Sequence, residues 1–394
     1  MSKYSIDHKL DRILNEVLFI KRRTSSYLGN NEALGYLVDE TPIFVNTDDM
    51  GGPINVLNGG RYEEDYLGVL ASYRQPRSTF LDIGANLGIY SLRMAPLMRS
   101  GRIVAFEPLR RVRDLFRRSV YLNNLAHVID VRPFGLSDVS GEAYLTIPPH
   151  HAGGATLEGG TGGSEQVEVR TLDSLVDRDF VCDLVKLDVE GHEFRALRGM
   201  ESVLRRSPHC VVLFEKLIKN GEYEHQIFEF AESLGWCIYV LDGIRLTKVT
   251  LDGFRESESY FIAGLPEVVE SGGLVRNFLD VYPTDLNVIA GELKGDALEV
   301  EAMAGTGEII FHGPYWYLPR GYYSLQFDGE IASRIQIDLT ERFGYEVEQF
   351  HFDQKTTCVE FPVVRDLCQF ELVCRAHRRT LGFTLRKLRL KRLA

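Results

Sequence analysis

Five short runs, STFLDIG, RIVAFEP, VIDVRPFGLSD, DLVKLDVEG and CVVLFEK, follow one another between residues 78 and 216 and are apolar on both faces. A strand with one wet face alternates apolar and polar residues. These runs do not, so both faces must be covered. The spacers between them, 109–124 and 192–206 included, have helical length, and strands joined by helices run parallel. The pattern predicts a doubly wound α/β domain over residues 67–265.

The chain has 394 residues, more than that domain needs, and its texture changes after Leu265. EIIFHGPYWYLPRGYYSLQFDG reads as two aromatic strands about a Leu-Pro-Arg-Gly turn, and IASRIQIDL, TTCVEFPVV, QFELVCR and FTLRKLRL continue in short, partly alternating runs. They predict a C-terminal all-β domain, a β-sandwich over 270–394, with Tyr315, Trp316, Tyr317, Tyr322 and Tyr323 either in its core or against a carbohydrate. At the other end, Ile6, Leu10, Ile13, Leu14 and Val17 recur at helical spacing. They predict an N-terminal amphipathic helix within 1–28, docked on its own domain or on a second subunit of a homo-oligomer in preference to lying on a membrane surface. Residues 29–66, rich in Gly, Asn and Asp, read as an irregular lead-in. The stretch PPHHAGGATLEGGTGG carries six glycines in 153–163 and reads as a mobile loop.

A formal charge of -11 argues against binding to nucleic acid, because affinity for a phosphate backbone comes from clustered cations. Residues 375–394 carry eight Lys and Arg and no acid, which favours a solvated basic face on a last strand over a membrane-attracted tail. The six cysteines form no C-x-x-C pair and fit reduced core thiols. With no long apolar run and no signal-like start, a soluble, cytoplasmic protein is expected.

In open α/β sheets, ligands bind outside the carboxyl ends of the strands. The first strand ends in Asp82-Ile83-Gly84-Ala85-Asn86-Leu87-Gly88, a G-x-x-x-G spacing that lacks the pyrophosphate grip of G-x-G-x-x-G. The second ends in Glu107-Pro108, where a carboxylate can accept both hydroxyls of a ribose. The third run ends in Phe134-Gly135-Leu136-Ser137-Asp138, where an acid beside a turn can receive the amino group of an adenine. Each feature alone has a structural explanation as a turn or a solvated strand end. Together they describe a nucleoside pocket.

With FLDIGANLGIYSL, AFEP, FGLSD, RTLDSL and DLVKLDVEGHEFRALRG in order over roughly residues 60–216, the chain resembles the FkbM family of S-adenosylmethionine-dependent methyltransferases. The resemblance implies a Rossmann-like methyltransferase sheet and S-adenosyl-L-methionine as cofactor. It places Asp82, Gly84, Asn86 and Gly88 at the methionine end, Glu107 on the ribose and Asp138 on the adenine. It also implies O-methylation of a sugar or glycan hydroxyl.

Methyl transfer needs an aligned acceptor and a group that takes its proton. In the fourth run Lys186, Asp188 and Glu190 alternate onto one face, and His192 follows. His192 is the first candidate base, since imidazole titrates near neutrality. Asp188 or Glu190 could serve instead or orient it, and Glu215, ending the fifth run, could hold substrate hydroxyls. Tyr62-Glu63-Glu64 reads as a solvated helix start, with contact to the cofactor amine as the alternative. Adjacent His150 and His151 lack metal-pair spacing, so the loop reads as a lid or acceptor contact and no metal is expected. The competing readings are a non-catalytic nucleoside- or glycan-binding protein and an NAD-dependent oxidoreductase, the latter disfavoured by the glycine spacing.

Overall fold

The computed structural model describes residues 25–394 except 59, 61, 76, 99, 160–161, 217–220, 243–244, 258–259, 271–277, 284–285, 296, 301–308, 313, 319–320, 333, 342–344, 364–366, 376–381 and 393–394. The expected helix within 1–28 lies almost wholly outside them. Among the described residues, no helix is long and apolar enough to cross a membrane.

Strands β1 (Ser26–Gly29), β2 (Glu32–Tyr36) and β3 (Pro42–Asn46) form an antiparallel meander where an irregular lead-in was expected. Asn30 and Asn31 both hold positive φ between β1 and β2, as a tight two-residue hairpin requires. The inward positions of β2 are Ala33 and Gly35, too small to register as an apolar alternation. The meander packs on the helix Arg110–Leu122: Ser119 Oγ accepts the Phe44 amide at 2.9 Å, and the Arg118 guanidinium lies 4.1 Å above the Phe44 ring. Helices Gly52–Leu57 and Glu64–Ala71 follow. Arg93, nearly buried, joins Asp39 to Glu64 at 2.9 and 2.8 Å, fastening this segment to the body behind it.

The body is an eight-stranded sheet. Strands β4 (Thr79–Ile83), β5 (Arg102–Phe106) and β6 (Ile129–Arg132) run parallel on one side. Three further strands, β7 (Gly135–Leu136), β8 (Gly141–Ile147) and β9 (Gly163–Arg170), form a separate small sheet. Strands β10 (Leu184–Leu187) and β11 (Val211–Glu215) return to the main sheet, parallel to β4. After them come β12 (Cys237–Asp242), β13 (Arg245–Lys248) and β14 (Tyr260–Gly264). The order is β13-β12-β14-β11-β10-β4-β5-β6, with β14 antiparallel to both neighbours. Every residue of β4 and of β10 is buried, as strands covered on both faces should be. The run VIDVRPFGLSD is not one strand: its FGLSD half passes beyond β6, and Gly135–Leu136 pairs with β9.

The described residues of 278–392 form two six-stranded antiparallel sheets whose inward residues share one cluster, Leu325, Phe327, Leu385 and Leu388 from one sheet and Phe311, Ile337, Phe352 and Leu372 from the other. Tyr323 is in this core; the side chains of Tyr315, Trp316, Tyr317 and Tyr322 lie outside the described ones. The last strand, Phe383–Arg392, is central rather than peripheral. Its apolar residues step from odd to even positions because Asp328 pairs with Lys387 but Gly329 with Leu385, a bulge that re-phases the strand. Tyr282 Oη donates to Gln75 Oε1 at 3.1 Å, tying these sheets to the α/β body.

Candidate functional site

A cavity of about 560 Å³ opens at the carboxyl ends of β4, β5, β10 and β11. Its backbone wall depends on glycine at one position above all. Gly84 has φ +74°, and a Cβ there would lie 1.8 Å from the Asp188 carbonyl oxygen. Gly88, also at positive φ, stands off the cavity; its missing side chain makes room for the Phe116 ring. The G-x-x-x-G spacing thus serves close packing at both of its glycines.

Glu107, almost wholly buried, lines the cavity. Its Oε2 accepts the Asn86 amide and its Oε1 the Leu109 amide, each at 2.8 Å. Burial pushes this carboxyl up to about 7, against the pull of those two amides and of the Lys186 charge. Gly84, Ala85, Asn86 and Pro108 line the cavity too, as do the apolar Phe106, Val112, Phe134, Leu136, Leu145 and Leu157. Asp82 does not line the cavity. It is a fully buried residue of β4 whose Oδ2 accepts from the Ser91 amide at 3.1 Å and hydroxyl at 2.6 Å.

The cavity is also lined by acids and phenols. Lys186, Asp188 and Glu190 all line it, although β10 stops at Leu187 and Glu190 sits in the following turn with φ 54°. The buried Lys186 ammonium bonds the Gly84 carbonyl at 2.8 Å and Asp188 at 3.1 Å. Burial alone would lower its pKa, but the Asp188, Asp82 and Glu63 carboxylates outweigh it and hold the group charged. Glu190 is pushed up to about 8 and Glu215 to about 7, first by burial and then by the charge of Asp188. Neither carboxylate has a hydrogen bond or ion pair among the described residues.

Glu63 is a cavity residue, not a solvated helix start: its two oxygens accept from Tyr90 Oη at 2.8 Å and Tyr260 Oη at 2.7 Å. Tyr62 and Tyr66 stand beside it, and Tyr66 lies 4.1 Å from Tyr260, centroid to centroid. Burial followed by Glu63 raises the Tyr62, Tyr90 and Tyr260 phenols well above their ordinary value, so all three remain donors. The cluster YEEDY was the only local signal for this group. Tyr260 carried none; it arrives because antiparallel β14 starts where β11 ends, pairing Tyr260 with Glu215.

His192, Ser137 and Asp138 do not line the cavity. His192 is buried behind the turn, where it precedes the helix Glu193–Arg198. Its Nδ1 lies 2.5 Å from Glu158 Oε1 and its Nε2 2.9 Å from Ser137 Oγ, so both ring nitrogens are engaged. Ser137 Oγ is also 3.1 Å from Asp138 Oδ1. The turn itself is held by Glu193, which accepts the Val189 and Gly191 amides at 3.3 and 3.0 Å. Among the described residues, no three His, Cys, Asp or Glu groups converge to hold a metal ion.

The glycine-rich segment lies across the cavity: His151, Ala152, Gly153, Ala155 and Leu157 line it. Ala152 N donates to Asp49 Oδ2 at 3.0 Å, His150 Nδ1 lies 3.1 Å from the Asp48 carbonyl, and Thr146 and Thr156 form a β-bridge. The expected loose loop is thus a strap attached at both sides.

The chain is 32% identical over 156 residues to the hexuronic acid methyltransferase AglP of Haloferax volcanii, a match covering 39% of this chain and 62% of that protein. It is 29% identical over 161 residues to the methyltransferase sdnD of Sordaria araneosa, covering 32% of this chain and 62% of the relative. The chain therefore spans less than two thirds of either relative. A solved putative O-methyltransferase from Klebsiella pneumoniae is 14% identical with a TM-score of 0.33, over 52% of this chain and 80% of that one, too slight a likeness to bear on the fold. The model of the Methyltransferase FkbM domain matches residues 82–236, which span β4 to the end of the helix Glu222–Ser233 and hold most of the cavity's walls. From Asp82 to Trp236 the chain is thus similar to the Methyltransferase FkbM domain, with methyltransferases among its relatives.

Proposed function

We propose that the α/β body binds S-adenosyl-L-methionine in this cavity and methylates a hydroxyl of a sugar or glycan. The observation that carries the reading is one cavity lined by a pinned carboxylate, by apolar side chains and by a set of acids and phenols. The cofactor suits the pinned carboxylate and the apolar lining. Glu107 is immobilised by two amides yet keeps lone pairs for two ribose hydroxyls, and the lining offers apolar faces to an adenine. S-adenosylmethionine supplies an already activated methyl group, so the chain's own residues must orient the acceptor and take its proton.

Glu190 is the base in this proposal, in place of His192. It lines the cavity, its carboxylate lacks a partner among the described residues, and it is raised to about 8, so it holds a proton well near neutral pH. Both nitrogens of His192 are already occupied. Asp188, locked to Lys186, keeps the local charge in place, and Glu215 with the Tyr90 and Tyr260 phenols offers hydrogen bonds to a polyol. The hexuronic acid methyltransferase among the relatives supports a sugar acceptor. We read the two C-terminal sheets as a sandwich that positions a larger glycan. The test is transfer of labelled methyl from S-adenosylmethionine to glucuronic acid, glucose and a bacterial polysaccharide hydrolysate. Failure of S-adenosylhomocysteine to bind would overturn the cofactor half, and binding without transfer to any of these acceptors would overturn the sugar half.

A further inference from the structure

We propose that Thr156 and Glu158 of the glycine-rich strap are positioning residues that hold the Glu190 carboxylate in place through the turn behind it. The inference rests on the reading of Glu190 as base. Thr156 Oγ1 donates to the Glu190 carbonyl at 2.7 Å, and Glu158 Oε1 meets His192 Nδ1 at 2.5 Å, two residues further on. The strap therefore grips the Glu190-Gly191-His192 turn at both ends. On its far side the same imidazole reaches Ser137 Oγ at 2.9 Å, so the turn is clamped between the strap and the 137–138 segment.

The turn needs such a clamp. Glu190 has φ 54°, a left-handed conformation that a glutamate adopts at a cost and keeps only where its surroundings over-determine it. Glu193 restrains the amides of Val189 and Gly191, but the Glu190 carbonyl is restrained by Thr156. The strap also carries His151, Ala152, Gly153, Ala155 and Leu157 into the cavity wall. The residues that cover the bound molecules are thus the ones that fix the acid, and a displaced strap would leave Glu190 free to swing.

The Glu158–His192–Ser137 line has the composition of a hydrolytic triad, but its serine is buried, does not line the cavity and contacts Asp138. A strut, not a nucleophile, is what this geometry can be.

The test compares Thr156→Val, Thr156→Ser and Glu158→Gln in the full chain loaded with S-adenosylhomocysteine, following amide hydrogen exchange of residues 188–193. Turnover is measured with S-adenosylmethionine and whichever of glucuronic acid or glucose is methylated. Thr156→Val should speed exchange in the turn about tenfold and lower kcat by a similar factor, the worth of one ordinary hydrogen bond, with KM for S-adenosylmethionine unchanged. Thr156→Ser, which keeps the hydroxyl, should restore both, and Glu158→Gln should reproduce the valine variant in part. Unchanged exchange in Thr156→Val and Glu158→Gln overturns the proposal, as does equal loss in Thr156→Ser. Glu190→Gln separates the two claims: if it leaves kcat intact, the base reading fails, whereas if it abolishes turnover while the strap variants are silent, only the positioning role fails.

Discussion

Glu107 Oε2 accepts the backbone N–H of Asn86 at 2.8 Å, so the carboxylate that ends β5 is held by the turn that ends β4. Two loops separated by a helix become one rigid wall. The carboxylate needs no rearrangement to meet a ligand, which lowers the entropy cost of binding.

Glu107→Ala should weaken S-adenosylhomocysteine binding by at least about tenfold, since hydrogen bonds to a charged acceptor are worth roughly 1.5–3 kcal/mol each. Isothermal titration checks this. Unchanged affinity would remove Glu107 from the cofactor site.

The pH dependence of affinity follows from the same residue. Its carboxyl is raised to about 7, so it is protonated below that value and loses acceptor capacity. Affinity for S-adenosylhomocysteine should fall as pH drops from 8 to 6. A flat profile over that range would mean that the bound molecule does not contact Glu107.

Turnover should rise with pH through about 8 as Glu190 ionises. Glu190→Gln should lower kcat by roughly two orders of magnitude or more while cofactor affinity stays nearly constant. His192→Ala, by contrast, should act through the turn and cost less. The pH-rate profiles of both variants decide between the two residues.

Stability should move the other way with pH. Glu107, Glu190 and Glu215 each bind a proton more tightly in the folded chain than in the unfolded one. Stability contributed by their neutral forms is therefore complete near pH 4 and is lost as pH rises from about 4.5 to about 8. Replacing Glu215 by Gln should flatten that decline in a thermal-melt series.

Gly84→Ala should be poorly tolerated. The new Cβ would lie 1.8 Å from the Asp188 carbonyl oxygen at a residue with φ +74°, forcing β4 and β10 apart. A loss of about 3 kcal/mol or more and failure to bind cofactor are expected, read by chemical denaturation and titration. Leu325→Ala in the C-terminal core should cost about 2–5 kcal/mol by leaving a cavity there, yet leave cofactor affinity unchanged.

Sequence alone was enough for what depends on local pattern. Runs apolar on both faces give a parallel sheet because buried strands cannot alternate, and the rule that ligands meet strand ends then singles out Gly84, Glu107, Asp188, Glu190 and Glu215, which line one cavity, along with Asp82, Gly88, Ser137 and Asp138, which do not. The same logic failed for the meander at 26–46, whose inward Ala33 and Gly35 are too small to show a period. Only the tertiary structure decided which partners each side chain has. Tyr260 reaches Glu63 and stands beside Glu215 because β14 runs antiparallel to β11, and no spacing along the chain encodes that meeting. His192 illustrates the converse: its chemistry suggested a base, but the Glu158 and Ser137 contacts, 34 and 55 residues away, occupy both nitrogens. A residue type shows what a side chain can do. Burial and neighbours, set by contacts distant in sequence, select what it does.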